Sequence, residues 1–387
     1  MPSVLSVVKG ATPRDDLLIA SITDLLPAAG GGEIVLGTWG PLSGPASAWG
    51  VVNLAQAAYF RMLNERGGIH ARKIRFVVED DAYDAARTLA LVRKMVERDA
   101  VLAFLGGLGT ASGSAVMPYL VENRVPHIAP ASGSSRWSEP PRPGYYAWQM
   151  SYSSQARVLA TYATEALAKR RLAVFYQRDE FGLEGLAATR AALAARGAEL
   201  VAEVGYELGE ADYSGQALRL LQSGAEATVT WAGVEPYAQL LNASRRLGYA
   251  PAWLNSAGTN DPALFRMAPE AVQGAFFIQY LPDPNDPAER GNAAIAEWRE
   301  NLPRYDPSLA LTNFTLAGWG QARLMHEILR RAGPKLSRLS LEQAAQSLKD
   351  WRDLATVSYS ATDRRGITVG WIAQAMGEHT VKVSKRL

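Results

Sequence analysis

Ile34-Val35-Leu36-Gly37-Thr38-Trp39-Gly40-Pro41-Leu42-Ser43-Gly44-Pro45 leads into an apolar-periodic run through Trp49 and Phe60. Asn64-Glu65-Arg66-Gly67-Gly68-Ile69-His70 follows, then a second apolar stretch ending in Glu79-Asp80-Asp81. The order is strand, Gly/Pro loop, helix, glycine stop, strand. The loop after Trp39 stands at the carboxyl end of a buried strand, where open α/β sheets bind ligands.

The same alternation continues outward. Strand-like runs are expected at 33–39, 73–79, 101–105, 126–129, 171–176, 199–206, 227–231, 252–254 and 273–280. Helices are expected near 47–66, 84–98, 112–123, 155–169, 182–196, 213–223, 235–247, 287–300, 310–332 and 340–350. Strands of Val, Leu, Phe and Ala without clean alternation suit sheets covered on both faces. Alternating order implies parallel strands with right-handed crossovers. There is a weak internal echo. Phe76–Asp81, a helix, Val101–Leu105 and Gly106-Gly107 are matched by Val204–Tyr206, a helix, Thr228–Trp231 and Ala232-Gly233. Two lobes of one architecture explain it, and so does generic α/β alternation.

At 387 residues the chain exceeds one ordinary core, and two domains are the expectation. The passages between lobes are placed near Trp148–Ser154, near Gln279–Pro284 and near 353–358. Lobe 1 is then 33–150 plus 282–354, and lobe 2 is 151–281 plus 355–387. Residues 1–32 read as an N-terminal extension, with a short amphipathic helix after Pro13 (Leu17 to Leu26). Lys9, Arg14, Asp15 and Asp16 interrupt its weakly apolar stretch, so no signal peptide is visible there.

With 40 basic and 38 acidic residues, net charge is +2 and mixed along the chain, which gives no stripe for nucleic acid. The absence of cysteine excludes disulfides, thiol catalysis and cysteine metal sites. No apolar run reaches the ~20 residues of a membrane helix, so no direct membrane insertion is expected. His70, His127, His326 and His379 are isolated, without metal-ligand spacing. Asp80 and Asp81 are neighbours on a strand end and face opposite ways.

Four loops carry the candidate binding residues. Gly106-Gly107-Leu108-Gly109-Thr110-Ala111-Ser112-Gly113 opens a helix whose free amides suit an anion. Ser112 suits the N-cap and Thr110 the ligand. Ala131, Ser132 and Gly133 belong to the next strand-end loop, which also carries Arg136. Trp49 is a cleft platform or a core ring, and Phe181 holds the comparable place in the second half. Val234 and Glu235 follow Gly233, with Glu235 suited to capping its helix. Ala257 lies in Ser256-Ala257-Gly258.

With its Ser43-Gly44-Pro45-Ala46-Ser47-Ala48-Trp49-Gly50 stretch, nearly the whole chain after Gly32 resembles the branched-chain amino-acid type of solute-binding protein of ABC importers. The resemblance implies a type I periplasmic-binding fold. That is an α/β protein of two similar lobes, each a mainly parallel sheet with helices on both faces, joined by a three-segment hinge. It implies no enzyme, cofactor or metal, a small-molecule solute, a membrane permease as partner, and a periplasmic or extracytoplasmic location. It puts Gly109 and Thr110 at the ligand's carboxylate and amino end, Ala131 and Gly133 beside them, and Trp49 and Phe181 at its side chain. Two positions depart from the pattern: Val234 stands for a ligand-touching tyrosine, and Ser256-Ala257-Gly258 stands where an acid pairs with the substrate ammonium. An ammonium without a carboxylate is poorly compensated in a dry cleft. The expected solute is therefore a carboxylate- or amide-bearing molecule, an amino acid or, in preference, an apolar or aromatic acid or amide.

Two other outputs compete. A cytosolic or receptor-type sensor would use the same fold. A nucleotide-cofactor enzyme is suggested by the glycines after Leu105, but the third falls one place late and no acid ends the next strand. No Gly-x-Ser-x-Gly is present either.

Overall fold

The computed structural model describes residues 32–385. The helix expected between Leu17 and Leu26, and the rest of the expected extension up to residue 31, lie outside the described residues.

The chain builds β1 (Glu33–Gly40), α1 (Val51–Glu65), β2 (Lys73–Asp80), α2 (Ala85–Glu97), β3 (Ala103–Leu105), α3 (Thr110–Glu122), β4 (His127–Ile128) and β5 (Tyr145–Tyr146). These five strands form one sheet in the order β2-β1-β3-β4-β5, parallel throughout. The order reverses between β1 and β3, so the loops after those two strands flank a crevice. Strands β1 and β3 are buried almost end to end, as their unbroken apolar runs require.

A second set follows: α4 (Tyr152–Thr161), β6 (Arg171–Gln177), α5 (Glu180–Ala194), β7 (Glu199–Tyr206), α6 (Ser214–Gln222), β8 (Ala227–Trp231), α7 (Val234–Arg246), β9 (Ala252–Asn255), α8 (Ala263–Met267) and β10 (Phe276–Gln279). The chain then returns to the first sheet through α9 (Ala293–Tyr305), α10 (Asn313–Ala332), α11 (Arg338–Gln346) and a two-stranded ribbon, β11 (Trp351–Arg352) with β12 (Thr356–Val357). It ends as a hairpin, β13 (Trp371–Met376) and β14 (His379–Lys382), added antiparallel to β10. The second sheet reads β14-β13-β10-β9-β8-β6-β7. The hairpin, α8 and the ribbon have no counterpart among the expected elements.

Helix α10 seals the first lobe from behind by lying against α1. A Cβ on Gly318 would stand 2.2 Å from the Val52 carbonyl, so only glycine permits this approach. Inside the contact, Gln56 donates to Gln321 at 2.7 Å and Gln321 to the Ala129 carbonyl at 3.1 Å, which satisfies polar atoms that burial would otherwise penalise.

The chain passes between the sheets near Trp148–Tyr152 and near Tyr280–Asp283. The third passage lies later than 353–358. Val357, Tyr359 and Ile367 belong to the first core, Tyr359 Oη donates to Ala147 O at 2.6 Å, and the Arg364 guanidinium lies 4.7 Å over the Tyr146 ring. The sequence between 355 and 367 carries few apolar residues, and its attachment rests on these single side chains. The passages run in contact. A Cβ on Gly366 would stand 2.3 Å from the Trp148 Cα, and one on Gly370 would stand 2.8 Å from the Gln279 carbonyl.

Candidate functional site

The loop from Gly106 to Gly109 connects β3 to α3. Gly106, Gly107 and Gly109 all have φ between 68° and 110°, which explains the glycines. A Cβ on Gly107 would enter the Trp39 ring at 2.4 Å. Leu108 pairs with Ala131 in a parallel bridge, and the Ala131 amide reaches Gly106 O at 3.2 Å. The loops after β3 and β4 therefore lie side by side. Helix α3 begins at Thr110 with Gly109 as N-cap and no side-chain cap. Its first-turn amides consequently lack intrahelical partners, and Gly109 and Thr110 line the crevice.

Ser112 is not the cap expected of it. Its hydroxyl is buried and donates to Asp81 Oδ2 at 3.0 Å, alongside Thr88 Oγ1 at 2.7 Å, while Asp81 Oδ1 accepts the Tyr83 amide at 2.9 Å. Burial raises the Asp81 pKa against those hydrogen bonds. On the other side of the chain, Asp80 Oδ1 accepts the Ala82 and Leu42 amides at 3.0 and 2.9 Å. The two carboxylates hold Ala82 and Tyr83 in consecutive left-handed conformations, φ 50° and 64°. Such backbone is costly for residues with a Cβ and persists only when overdetermined. The result is a fixed Tyr83 ring over the crevice, with its hydroxyl donating to Asp179 of the opposite lobe at 3.1 Å.

A cavity with about 130 Å³ open to the centres of water molecules lies between the two sheets. Many waters' worth of space remains, enough for a small solute. The first lobe contributes Trp49, Val52, Tyr83, Leu108, Gly109, Thr110 and Ala131. The second contributes Phe181 and the Ser256–Gly258 loop with Asn260. The passages add Gln149, Tyr152, Gln155 and Ile278–Asp283, and α10 adds Asn313, Phe314, Leu316 and Ala317. Among the described residues, no Lys, Arg or His lines it, and Asp283 is the only carboxylate that does.

Aromatic rings from both lobes meet in the cavity lining. Trp49 stands edge-on to Phe181 with centroids 6.0 Å apart, and its indole donates to Gly258 O at 3.2 Å. Phe181 packs on Tyr152 at 5.3 Å. Thr110 Oγ1 lies 2.9 Å from Ser132 Oγ and 3.2 Å from Tyr152 Oη, which joins two strand-end loops to the start of α4. Burial raises the Tyr152 phenol to about 12, so it stays a neutral donor and acceptor.

Outside the cavity, polar contacts bridge the lobes. Arg136 Nη1 and Ser114 Oγ meet Glu180 Oε2 at 2.5 and 2.6 Å, and the Ser135 amide and hydroxyl both donate to Glu184 Oε1 at 2.9 Å. Arg136 is thus neither a free surface cation nor a cavity residue. In the cavity lining itself, Asn313 Nδ2 donates to Asn260 O of the opposite lobe at 3.1 Å. The lobes are shut.

Of the ten candidate positions, Trp49, Gly109, Thr110, Ala131, Phe181 and Ala257 line the cavity. Ser132 and Gly133 lie just behind it: Ser132 holds Tyr152 Oη at 3.2 Å, and a Cβ on Gly133 would meet the Tyr152 ring at 2.7 Å. Val234 and Glu235 are elsewhere. Val234 opens α7 and turns into the second core. Glu235 is exposed beside Gln239, 3.3 Å away, in the helix's first turn and not at its Gly233 cap, so it cannot replace an acid in the cleft. The sequence reading missed Tyr83, Tyr152, Gln155, Asn260 and Asn313. Tyr152 was within reach, since a residue at a passage between lobes must face the crevice.

A model of the periplasmic binding protein family matches residues 33–379. An amino acid binding protein of Pseudomonas aeruginosa is 28% identical over 279 residues, which are 69% of this chain and 72% of that protein. A substrate-binding periplasmic protein of Ralstonia solanacearum superposes with a TM-score of 0.83 at 27% identity, covering 90% of this chain and 100% of that one. The Thermus thermophilus branched chain amino acid ABC transporter structure with bound valine gives 0.84 at 23% identity over 92% and 96% of the two chains, a likeness of fold.

Proposed function

The chain belongs to the periplasmic binding protein family, and from that premise we propose that it is the extracytoplasmic capture component of an ABC importer. It closes on a small carboxylate- or amide-bearing solute with an apolar or aromatic body and delivers it unchanged to a membrane permease. The observation that carries this reading is the cavity itself, which lies between the two sheets and is lined from both lobes.

The uncapped first turn of α3 and the hydroxyl of Thr110 receive the solute's carboxylate or amide oxygen, since helix N-termini favour anions. Trp49, Phe181 and Tyr83 cover the body and exclude water. Affinity follows from closure, because polar contacts in a dry site replace those with solvent. Lobe 1 (33–150 and 282–367) and lobe 2 (151–281 and 368–385) move as bodies about the three passages. No role is assigned to Val234 or Glu235, and Ser132 and Gly133 act by holding Tyr152. Catalysis is not part of the function: the cleft groups are arranged to hold a solute by hydrogen bonds and apolar contact.

Calorimetric titration against amino acids, aromatic and aliphatic acids and short amides tests the reading. It is expected to give micromolar or tighter binding for an acid or amide with a bulky apolar body. Leucine binding tighter than every acid and amide would overturn the solute assignment, and no binding across the panel would overturn capture of this class.

A further inference from the structure

We propose that the cleft accepts an uncharged N–H or O–H group beside the solute's carboxylate, held by Asn313 and Ser256, so that the solute is a 2-hydroxy acid or an N-acylated amino acid. This rests on the capture reading above. Two residues that line the cavity each carry a buried polar atom without a hydrogen-bond partner, Ser256 Oγ and Asn313 Oδ1. They come from opposite lobes. Ser256 follows β9, and its side of the cleft is held by the bond from Trp49 to Gly258 O. Asn313 is the first residue of α10, and its amide orientation is fixed: Nδ2 donates to the Asn260 carbonyl at 3.1 Å, which leaves Oδ1 as a pure acceptor. A buried acceptor of this kind calls for a donor, and the solute is the group that closure brings to it.

The Ser256 loop is linked to the start of α3 through two aromatic rings. A Cβ on Gly109 would stand 3.1 Å from the Tyr83 ring, Tyr83 is 6.0 Å from Trp49, and Trp49 bonds to Gly258. The donor is uncharged because a desolvated ammonium needs a carboxylate. The only one lining the cavity among the described residues, Asp283, is on the passage after β10 and already accepts from Thr380 Oγ1 at 2.6 Å and the Asn285 amide at 2.8 Å.

The test titrates four matched probes into the full chain: 3-phenyllactate, N-acetylphenylalanine, 3-phenylpropanoate and phenylalanine. The first two are expected to bind about 2- to 12-fold tighter than 3-phenylpropanoate, the worth of one net hydrogen bond, and phenylalanine weaker than all three. Ser256→Ala should reduce the preference for 3-phenyllactate over 3-phenylpropanoate. Asn313→Asp should move the order toward phenylalanine. Phenylalanine binding tightest in the unaltered protein overturns the inference, and so does a uniform loss across all probes in both variants, which marks a structural role. If 3-phenylpropanoate binds but the α-substituent makes no difference, this inference alone falls. If none of the four binds, this inference falls, and the capture reading is decided by the wider panel above.

Discussion

Trp49 is placed to bolt the lobes together only when they are shut, and its removal should weaken solute binding without weakening the fold. The ring sits in a short turn of the first lobe, while Phe181 and Gly258 belong to the second. Trp49→Ala loses the indole hydrogen bond, worth about 0.5–1.5 kcal/mol, and the edge-on pair with Phe181, worth about 0.5–1.5 kcal/mol beyond area. Both terms exist in the closed form, so the apparent dissociation constant rises by about 1–3 kcal/mol, or roughly 5- to 150-fold. Trp49→Phe keeps a ring and loses the donor, so its cost should be about 2- to 12-fold. Calorimetry with the tightest solute of the panel gives the affinities, and thermal unfolding without solute gives the fold. Unliganded melting should stay within about 1 °C, less than about 1 kcal/mol at this chain length. Equal losses in the two variants, or an unliganded melting drop that matches the affinity loss, would refute the bolt and return Trp49 to the core of its own lobe.

Other outcomes follow from single residues. His127 is fully buried, and burial lowers its pKa from 6.5 to about 4. The unfolded chain takes up this proton below pH 6.5 while the native one resists until about pH 4, so the stabilisation is complete above 6.5 and declines as pH falls. Between pH 7 and pH 5 the loss should be about 2 kcal/mol at ~1.4 kcal/mol per unit, and urea unfolding of the His127→Gln variant should show a flatter pH dependence. Gly366→Ala puts a Cβ 2.3 Å from the Trp148 Cα and 2.4 Å from its carbonyl, backbone that cannot yield. Chemical unfolding should report a loss of about 1–3 kcal/mol or more. Arg136→Ala breaks an ion pair whose side chains are 47% and 39% exposed, so the effect on affinity should be under about 1 kcal/mol and should fade with added salt.

The two-lobe fold was legible because alternation of apolar strands and helices is a local signal repeated through the first 350 residues, and β1, β2, β7 and β8 fall within a residue or so of expectation. The C-terminal hairpin was not read. Trp371–Met376 and His379–Lys382 are short and half exposed, and they are strands only because β10 offers an edge. The third passage was misplaced for a related reason: Tyr359 and Arg364 attach it to the first lobe by contacts with residues more than two hundred positions away. In the cleft, glycine-rich strand ends announced Gly109, Thr110 and Ala257. Direction was not announced. Whether Val234 points to ligand or core, and whether Ser112 caps a helix or serves Asp81, is set by where a helix starts, one residue earlier than expected for Val234 and two for Ser112. Tyr83 and Asn313 were invisible because their place depends on Asp80, Asp81 and Asn260, which are distant in sequence or silent in pattern.

The most direct measurement uses the absence of cysteine in the chain. With spin labels at Glu122→Cys in the first lobe and Arg219→Cys in the second, electron–electron resonance reads the distance between lobes with and without solute. The account predicts a longer, broader distribution in the solute-free protein that shifts to one short distance at saturation. A single distance that does not change when solute binds would contradict it.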